Sequence, residues 1–354
     1  MNVLMVGVDE KTKGGMWSVA RGYLQSETYR KATNVKYVAT ATQGSSIKKL
    51  LFFGFGFAKI LGLLLTQKWD VVHIHMSERG SVYRKFAVSK LGKLFGCKVV
   101  VHMHGAEFET WYNGLPESKK TFVRRGLNEL DAVVILGEYW RPYISSLMED
   151  NQKVNVLYNA VPVPQNNRYR AEAKNMLFLG EVGQRKGIYD LLASLQTIDG
   201  QLDDNYRLLI YGPNPDGDIT ERIEKMNLQR RAQYMGWVDS DRFEQLFAEI
   251  AVNVLPSYHE GLPMTILETM AYGIPNITTA VAAIPEAVNQ ENGALLQPGD
   301  IQTLAATILD LLQNPQLRKE KSENAYETMK KVFSTEQHML QVLRLYEEIV
   351  KREK

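Results

Sequence analysis

A repeated alternation of short apolar segments with helical segments runs through almost the whole chain and constrains its fold more than any other feature. Between residues 2 and 159 the apolar segments are NVLMVGV, VKYVAT, DVVHIH, KVVVHMH, AVVILG and KVNVLYN. Near-continuous apolar strands that alternate with helices are typical of parallel sheets covered by helices on both faces. The pattern therefore predicts an α/β fold built on a doubly wound parallel sheet.

The alternation is interrupted once, at a polar stretch that contains proline, VPVPQNNRYRAEA, at residues 161–173. The second series comprises NMLFLG, YRLLIYG, AQYMGW, VNVLP and IPNITT, and from Pro315 the pattern is helical to the last residue. A chain of 354 residues is also too long for one ordinary hydrophobic core. We therefore predict two doubly wound, Rossmann-like domains facing across a cleft, with ligands bound beyond the carboxyl ends of the strands.

Composition places the chain among soluble globular proteins, with 45% apolar and 23% charged residues. Cys97 is the only cysteine, so no disulfide forms within the chain, which fits a reducing compartment. The first residues, MNVLMVGVDE, lack the basic and long apolar regions of a signal peptide. We expect a cytoplasmic protein, or one at the inner face of the cell membrane, without a nucleic-acid partner.

Basic residues are concentrated in the first part of the chain. Residues 1–100 contain 16 Lys and Arg against 5 Asp and Glu, whereas residues 101–354 contain 26 against 35. The same region holds an apolar run, Leu50–Leu65, which is broken only by glycines and Lys59 and is shorter than the roughly 18–20 residues that span a bilayer. It is either a core-facing helix or a helix lying in a membrane interface. The coincidence of charge and apolarity favours contact with an anionic membrane.

The segment HEGLPMTILETMAYGIPN, residues 259–276, holds two glutamates eight positions apart, Glu260 and Glu268. Pro263 suits the first turn of a helix, and Gly273 suits a left-handed C-terminal cap, so we predict a helix from Pro263 to Tyr272. Its unpaired N–H groups form an anion site, with one carboxylate on either side to bind hydroxyl groups. The alternative is a solvated helix with a charged loop residue.

Two further segments suit phosphate groups. Gly14 and Gly15 follow the first predicted strand and allow close approach of the backbone to a ligand before a helix begins. Arg185 and Lys186 follow the strand that ends at Gly180, again before a helix. The alternatives are a tight turn and a solvated loop.

Histidines occur in two pairs, in VHIH (His73 and His75) and in VHMH (His102 and His104). Each pair lies on one face of a strand, but no cysteine and no evident third ligand accompanies it, so we do not predict a metal site. His104, at a strand end, is placed to hydrogen-bond a sugar. We expect His73 and His102 to be core residues with satisfied hydrogen bonds.

The segment DSD, residues 239–241, resembles the D-x-D metal motif of other sugar-nucleotide enzymes. Asp241 is followed three residues later by Glu244, which is typical of a capping box. We therefore interpret Asp241 as a helix cap.

Together these segments resemble family four of the retaining glycosyltransferases, which have the two-domain GT-B architecture. The resemblance covers nearly the whole chain and is strongest at residues 254–300, which look like the family's E-x7-E block and its tail. The segments KGGMWSVARGYL and HMHGAEFETW look like those of bacterial enzymes that build capsule, exopolysaccharide or O-antigen. The resemblance implies an acceptor-side domain at residues 1–165, a donor domain at 172–335, and a C-terminal helix at 336–354 packing back toward the first domain.

The resemblance also implies roles for individual residues. Glu260 would lie near the transferred sugar, Glu268 would bind the ribose hydroxyls, and Lys186 would bind phosphate. His104 would meet the sugar from the first domain, which makes His104, Glu260 and Lys186 the candidate catalytic residues. The other candidate donor-binding residues are Gly14, Gly15, Arg185, Tyr211, Gly212, Trp237, Val238, Gly261, Leu262, Pro263 and Met264.

By resemblance, the chain transfers a sugar from a nucleoside diphosphate sugar to an acceptor hydroxyl, expected to belong to a lipid-linked saccharide, with retention and without metal or cofactor. One position departs from the family pattern, because Glu181 stands where many relatives have an arginine that neutralises the diphosphate. Two alternatives stay open: a sugar-nucleotide epimerase or hydrolase of the same architecture, and, because of Glu181, a partner subunit that binds sugar nucleotides without activity.

Overall fold

The structure is a computed structural model in which residues 1–12 and 15–352 are described, without the side chain of Ser46. Gly14, a candidate donor-binding residue, therefore lies outside the described residues. The chain divides into two compact units. Unit 1 comprises Met1–Ala160 and Thr335–Lys354, and unit 2 comprises Val161–Ser334.

The sheet of unit 1 is parallel throughout, with the strand order β2-β1-β3-β4-β5-β6. Its strands are β1 (Asn2–Val8), β2 (Asn34–Ala41), β3 (Val71–Met76), β4 (Lys98–Met103), β5 (Ala132–Ile135) and β6 (Val154–Val156). Each strand overlaps one of the first six apolar segments, so this part of the strand prediction is confirmed. The central strands are buried along their whole length, as expected for a sheet covered on both faces.

The helices of unit 1 that precede unit 2 connect successive strands of this sheet. They are α1 (Gly15–Gln25), α2 (Glu27–Ala32), α3 (Ser46–Thr66), α4 (Gly80–Leu94), α5 (Phe108–Asn113), α6 (Glu117–Asn128) and α7 (Arg141–Ser146).

The sheet of unit 2 is also parallel, with the strand order β12-β11-β10-β7-β8-β9. Its strands are β7 (Asn175–Leu179), β8 (Leu208–Tyr211), β9 (Ala232–Gly236), β10 (Ile250–Leu255), β11 (Asn276–Thr279) and β12 (Gly293–Leu296). Its helices are α8 (Ile188–Ile198), α9 (Ile219–Lys225), α10 (Phe243–Phe247), α11 (Met264–Ala271), α12 (Ile301–Gln313) and α13 (Pro315–Lys331). β12 was not predicted, whereas the other five strands were.

The last helix, α14 (Thr335–Lys351), belongs to unit 1. It packs against α2 and buries Met339, Val342 and Tyr346, which recur at intervals of three and four residues on one helical face. Tyr346 Oη lies 3.2 Å from Tyr29 Oη, a hydrogen bond that fixes the position of α14 on α2.

Helix α3 contains the apolar run Leu50–Leu65, and most of it is exposed. One face of α3 is part of the core of unit 1, since Ile60 and Leu64 are buried there, but only 17% of the apolar stretch is buried, so a helix facing the core alone does not account for it. The helical segment Ile47–Thr66 is also 20 residues long, which by length and composition alone is enough to cross a membrane. The run was expected to be shorter than a span, but the helix extends beyond it at its N-terminal end.

The capping role predicted for Asp241 is wrong. Residues Ser240–Arg242 form a 3-10 turn that continues into α10, and neither start has a side-chain cap bond. Asp239 occupies the N-cap position of the turn, but its carboxylate accepts a hydrogen bond of 2.8 Å from the indole N–H of Trp237. The helix start was located correctly, whereas the capping residue was not.

Candidate functional site

The two loops that carry Lys186 and Glu260 leave the sheet of unit 2 from neighbouring strands. From β7 the chain moves outward through β8 and β9, and it then returns to the other side of β7 as β10. The strand order therefore reverses between β7 and β10, which is where open α/β sheets bind their ligands. The loop after β7, residues 180–187, lies beside the loop after β10, residues 256–263.

An ion pair joins these loops. The Lys186 ammonium donates a hydrogen bond to Oε1 of Glu260, and Ser257 Oγ donates to the same oxygen at 2.8 Å. Glu260 is only 6% exposed, so its charge is compensated by these donors and not by bulk water. A lysine ammonium has three N–H groups, and Glu260 takes one of them, which leaves donors for a ligand.

A second cation adjoins the pair. One terminal nitrogen of Arg185 lies 4.0 Å from Glu260 Oε2, and the other lies 3.8 Å from Glu181 Oε1. Glu181 and the Arg185 side chain are partly exposed, so this outer pair is weakly held. The site thus contains two cations and two carboxylates.

The positions of the loops are fixed by their backbones. The N–H of Tyr258 donates to the carbonyl of Arg185 at 2.9 Å, and the Arg185 side chain donates to the carbonyl of His259 at 3.2 Å. Gly187 has φ 72°, and a Cβ there would lie 2.0 Å from the carbonyl oxygen of Pro256. Only glycine allows this approach, so Lys186 and Glu260 are held in register before any ligand binds.

The predicted helix between the two glutamates is confirmed, since α11 runs from Met264 to Ala271 with Pro263 and Tyr272 as its caps. Gly273 follows with φ 77°, the left-handed conformation expected after its C-terminus. Pro263 makes no side-chain cap bond, so the first N–H groups of α11 are available to an anion, as proposed from the sequence.

The residues around this helix start differ in burial. Leu262 and Pro263 are buried, whereas Gly261, Met264 and Glu268 are partly exposed. The carbonyl of Gly261 accepts a hydrogen bond from the N–H of Ala283 at 3.3 Å, which ties the loop to the segment after β11. Glu260 and Glu268 thus flank the N-terminus of α11, with the first in the loop and the second in the helix. Their predicted sugar and ribose contacts stay predictions.

The candidate base-binding residues follow β8 and β9. Tyr211 ends β8, and the carbonyl of Gly212 accepts a hydrogen bond from Tyr234 Oη at 2.9 Å. Trp237 and Val238 follow β9, the last strand of the order, and Trp237 is 43% exposed. These residues lie at the same carboxyl edge of the sheet as Lys186. β8 is the strand next to β7, and β9 is the strand after it.

Two candidates belong to unit 1. Gly15 begins α1, and it is exposed. His104 follows β4, and its Nε2 lies 2.9 Å from Nδ1 of His75. Burial, with a smaller effect of the nearby His338 ring, lowers the pKa of His104 to about 3, so the imidazole is neutral near pH 7.

Sequence reasoning missed Ser257, which supports Glu260. The position of Ser257 three residues before Glu260, at a strand end, is a weak signal, because serine is common in loops.

Comparison with known proteins shows a similarity to glycosyltransferases. A family model described as "Glycosyl transferases group 1" matches residues 173–314, which include both loops. An uncharacterized 41.2 kDa protein in the cps region of Klebsiella pneumoniae is 26% identical over 314 residues, covering 82% of this chain and 84% of that protein. The N-acetyl-alpha-D-glucosaminyl L-malate synthase of Bacillus anthracis is 21% identical over 310 residues, which cover 84% of this chain and 79% of that protein. Residues 173–314 are therefore similar to the group 1 glycosyltransferases, and the relatives that match most of the chain support a glycosyltransferase.

The fold of this glycosyltransferase agrees with that assignment. The crystal structure of Alr3699/HepE from Anabaena in complex with UDP matches with a TM-score of 0.76 at 16% identity, over 98% of this chain and all of that one. The prediction of two Rossmann-like units of the GT-B class is therefore confirmed.

Proposed function

We propose that this glycosyltransferase moves a sugar from a nucleoside diphosphate sugar to an acceptor hydroxyl with retention at the anomeric carbon. The observation that carries the proposal is the junction of Lys186, Arg185 and the N-terminus of α11 at the point where the strand order of unit 2 reverses. A departing diphosphate gains negative charge as the glycosidic bond breaks. Fixed cations and backbone N–H groups stabilise that charge without reorganising.

The chemistry assigned to each group follows from its contacts. Lys186 binds the phosphates with the N–H groups that Glu260 does not occupy, while Glu260 holds the ammonium in place and accepts a hydroxyl of the sugar. The leaving phosphate oxygen takes the proton of the acceptor hydroxyl, so a separate general base is unnecessary. With two cations and a helix N-terminus present, the donor site functions without a metal ion.

The proposed acceptor is a lipid-linked saccharide in capsule, exopolysaccharide or O-antigen synthesis. The Klebsiella relative in a cps region supports a role in polysaccharide synthesis. The proposed location is the cytoplasm and the inner face of the cell membrane, which unit 1 contacts through α3.

The burial pattern of α3 supports a helix lying along a membrane surface. Ile60 is completely buried and Leu64 is 6% exposed, and a Cβ at Gly56 would lie 2.6 Å from the carbonyl oxygen of Ala39 in β2. This face is thus attached to the sheet of unit 1. The opposite side carries large apolar residues that are each 59–77% exposed to solvent: Ile47, Leu50, Leu51, Phe55 and Leu65. An attached helix with one apolar exposed side favours interfacial contact over a span.

A screen of nucleoside diphosphate sugars tests the reaction. Each donor is offered to the purified chain with membrane-extracted acceptors, and the products are analysed by mass spectrometry and by the anomeric signals in proton NMR. We expect a glycoside with the anomeric configuration of the donor. Inversion contradicts retention. Free sugar or an epimer as the sole product identifies a hydrolase or epimerase, and donor binding without turnover identifies a partner subunit.

A substitution at α11 tests the predicted ribose contact. We expect Glu268→Ala to raise the dissociation constant for the nucleoside diphosphate about 10- to 100-fold, because a hydrogen bond to a charged group contributes about 1.5–3 kcal/mol. Calorimetric titration measures the constant, and thermal unfolding checks that the fold persists. Glu291→Ala, which removes an exposed carboxylate in the same unit, is the matched control. Equal affinity of the Glu268 variant and the wild type rejects the ribose role.

A further inference from the structure

The two histidine pairs form one cluster in the core of unit 1. β3 and β4 are adjacent parallel strands, and their register places His75 opposite His102. His73, His75 and His102 are each 0% exposed. One ring nitrogen from each lies within 4.8 Å of those of the other two. The expectation that the pairs have no third ligand is therefore wrong for His73 and His75, because His102 of the second pair lies within reach of both.

Several ring nitrogens in this cluster have no hydrogen-bond partner among the described residues. They are Nε2 of His73, Nε2 of His75, and both nitrogens of His102. His73 and His102 are core residues as expected, but the expectation that their hydrogen bonds are satisfied is wrong. A buried polar atom without a partner costs about 1–3 kcal/mol, and four such atoms in one cluster are expensive for a domain of ordinary stability.

The opposite ring nitrogens of two of these histidines are held by neighbours. Nδ1 of His73 lies 2.5 Å from Tyr346 Oη of α14, and Nδ1 of His75 lies 2.9 Å from Nε2 of His104. Histidines that bind metal are usually arranged in this way, with one nitrogen on the metal and the other fixed by a hydrogen bond.

We propose that His73, His75 and His102 bind one zinc ion in the core of unit 1. Three imidazole nitrogens suit zinc, which takes histidine nitrogens at about 2.0–2.1 Å in a tetrahedral arrangement. Nitrogens in that arrangement are about 3.4 Å apart, so the three rings move together by about an ångström when the ion binds. Two histidines separated by one residue on one strand, and a third on the next strand, offer three ligands from a rigid support.

The zinc ion acts as a structural centre and leaves the proposed chemistry unchanged. Its ligands belong to unit 1, whereas Lys186 and Glu260 belong to unit 2. Through Tyr346 and His73 the centre connects β3 to α14, the last helix of the chain. The partly exposed His104 adjoins His75 and lies next to solvent, which provides a path for the ion. The proposal is independent of the reaction that the chain catalyses.

Metal analysis of the whole chain tests the proposal. The protein is produced with an affinity tag that lacks histidine, in medium supplemented with zinc, and its metal content is measured by plasma mass spectrometry after gel filtration. We expect one zinc per chain. Protein treated with chelator and titrated with cobalt(II) should develop the intense visible absorption of tetrahedral cobalt with the same stoichiometry.

Variants locate the ion. His102→Ala should lose the cobalt absorption, whereas His259→Ala, which removes the exposed histidine of unit 2, should keep it. Tyr346→Phe, which removes the partner of His73, should weaken metal affinity about 10- to 100-fold. Far-ultraviolet circular dichroism confirms that each variant is folded. If folded wild type holds neither zinc nor cobalt in stoichiometric amount, or if folded His102→Ala retains the absorption, the proposal is overturned. The wild-type measurement decides the question even if His102→Ala does not fold.

Discussion

Lys186→Ala is expected to lower turnover at saturating donor by about 10²- to 10³-fold, the range found when one preorganised group that stabilises developing charge is removed. Lys186 is 13% exposed and is fixed by Glu260, so its charge acts on the diphosphate with little screening by water. Because that charge matters most when the leaving group departs, the loss should fall mainly on kcat. Initial rates over a range of donor concentrations separate kcat from KM.

Stability must be measured for the same variant. Removing Lys186 leaves Glu260 buried with Ser257 and a more distant Arg185, and an uncompensated buried carboxylate is destabilising. Thermal unfolding therefore accompanies the kinetics, and rates are taken well below the midpoint. Lys225→Ala, on an exposed face of α9, is the matched control. A folded Lys186→Ala enzyme with turnover close to that of the wild type would remove Lys186 from the catalytic role.

The strands were predictable because their signal is local. Five or six consecutive apolar residues between polar turns identify a buried parallel strand without knowledge of its neighbours. β12 (Gly293–Leu296) was missed because its local signal is weak: the segment GALL is only four residues long and begins with glycine. Asp241 shows the opposite failure: its spacing from Glu244 fits a capping box, but neither the turn nor α10 has a side-chain cap bond, and Asp239 at the N-cap position accepts from Trp237 instead.

The candidate site was only partly predictable from local patterns. Each of Lys186 and Glu260 was identified from its own loop and from the family resemblance. Their ion pair joins residues separated by 74 positions, and it exists because β10 pairs with β7. Neither loop alone specifies that pairing. The histidine cluster has the same origin, because the register of β3 on β4, and not the spacing within either pair, brings His75 opposite His102.

Charge reversal on α3 should weaken membrane binding strongly. At about 100° per residue, the exposed apolar side chains of α3 occupy an arc of about 140°, and the buried Ile60 and Leu64 lie on the other side. Lys48 and Lys59 fall at one rim of the arc, near Phe55, and Lys49 and Lys68 are also exposed. Apolar side chains would enter the headgroup boundary while these lysines meet anionic lipid.

The expected effect is large because three charges change sign. Each basic group near an anionic surface contributes about 1 kcal/mol, so replacing Lys48, Lys49 and Lys59 with glutamate should weaken binding at least about 100-fold. Co-sedimentation with phosphatidylglycerol-containing vesicles and with neutral vesicles measures this change. Binding of the wild type should require the anionic lipid and fall as salt is raised. The matched control reverses three exposed lysines of unit 2, Lys225, Lys319 and Lys331, and should bind as the wild type does.

A separate variant measures the apolar contribution. Phe55 is 77% exposed, so Phe55→Ser removes no core contact and should weaken vesicle binding without lowering thermal stability. If the charge reversal weakens binding and Phe55→Ser does not, attraction is electrostatic only and α3 does not enter the interface. If wild-type protein stays in the supernatant with anionic vesicles at low salt, α3 is not a membrane contact. The acceptor would then have to be soluble, or a partner would have to bring the enzyme to the membrane, because nothing else proposed for unit 1 attaches it to lipid.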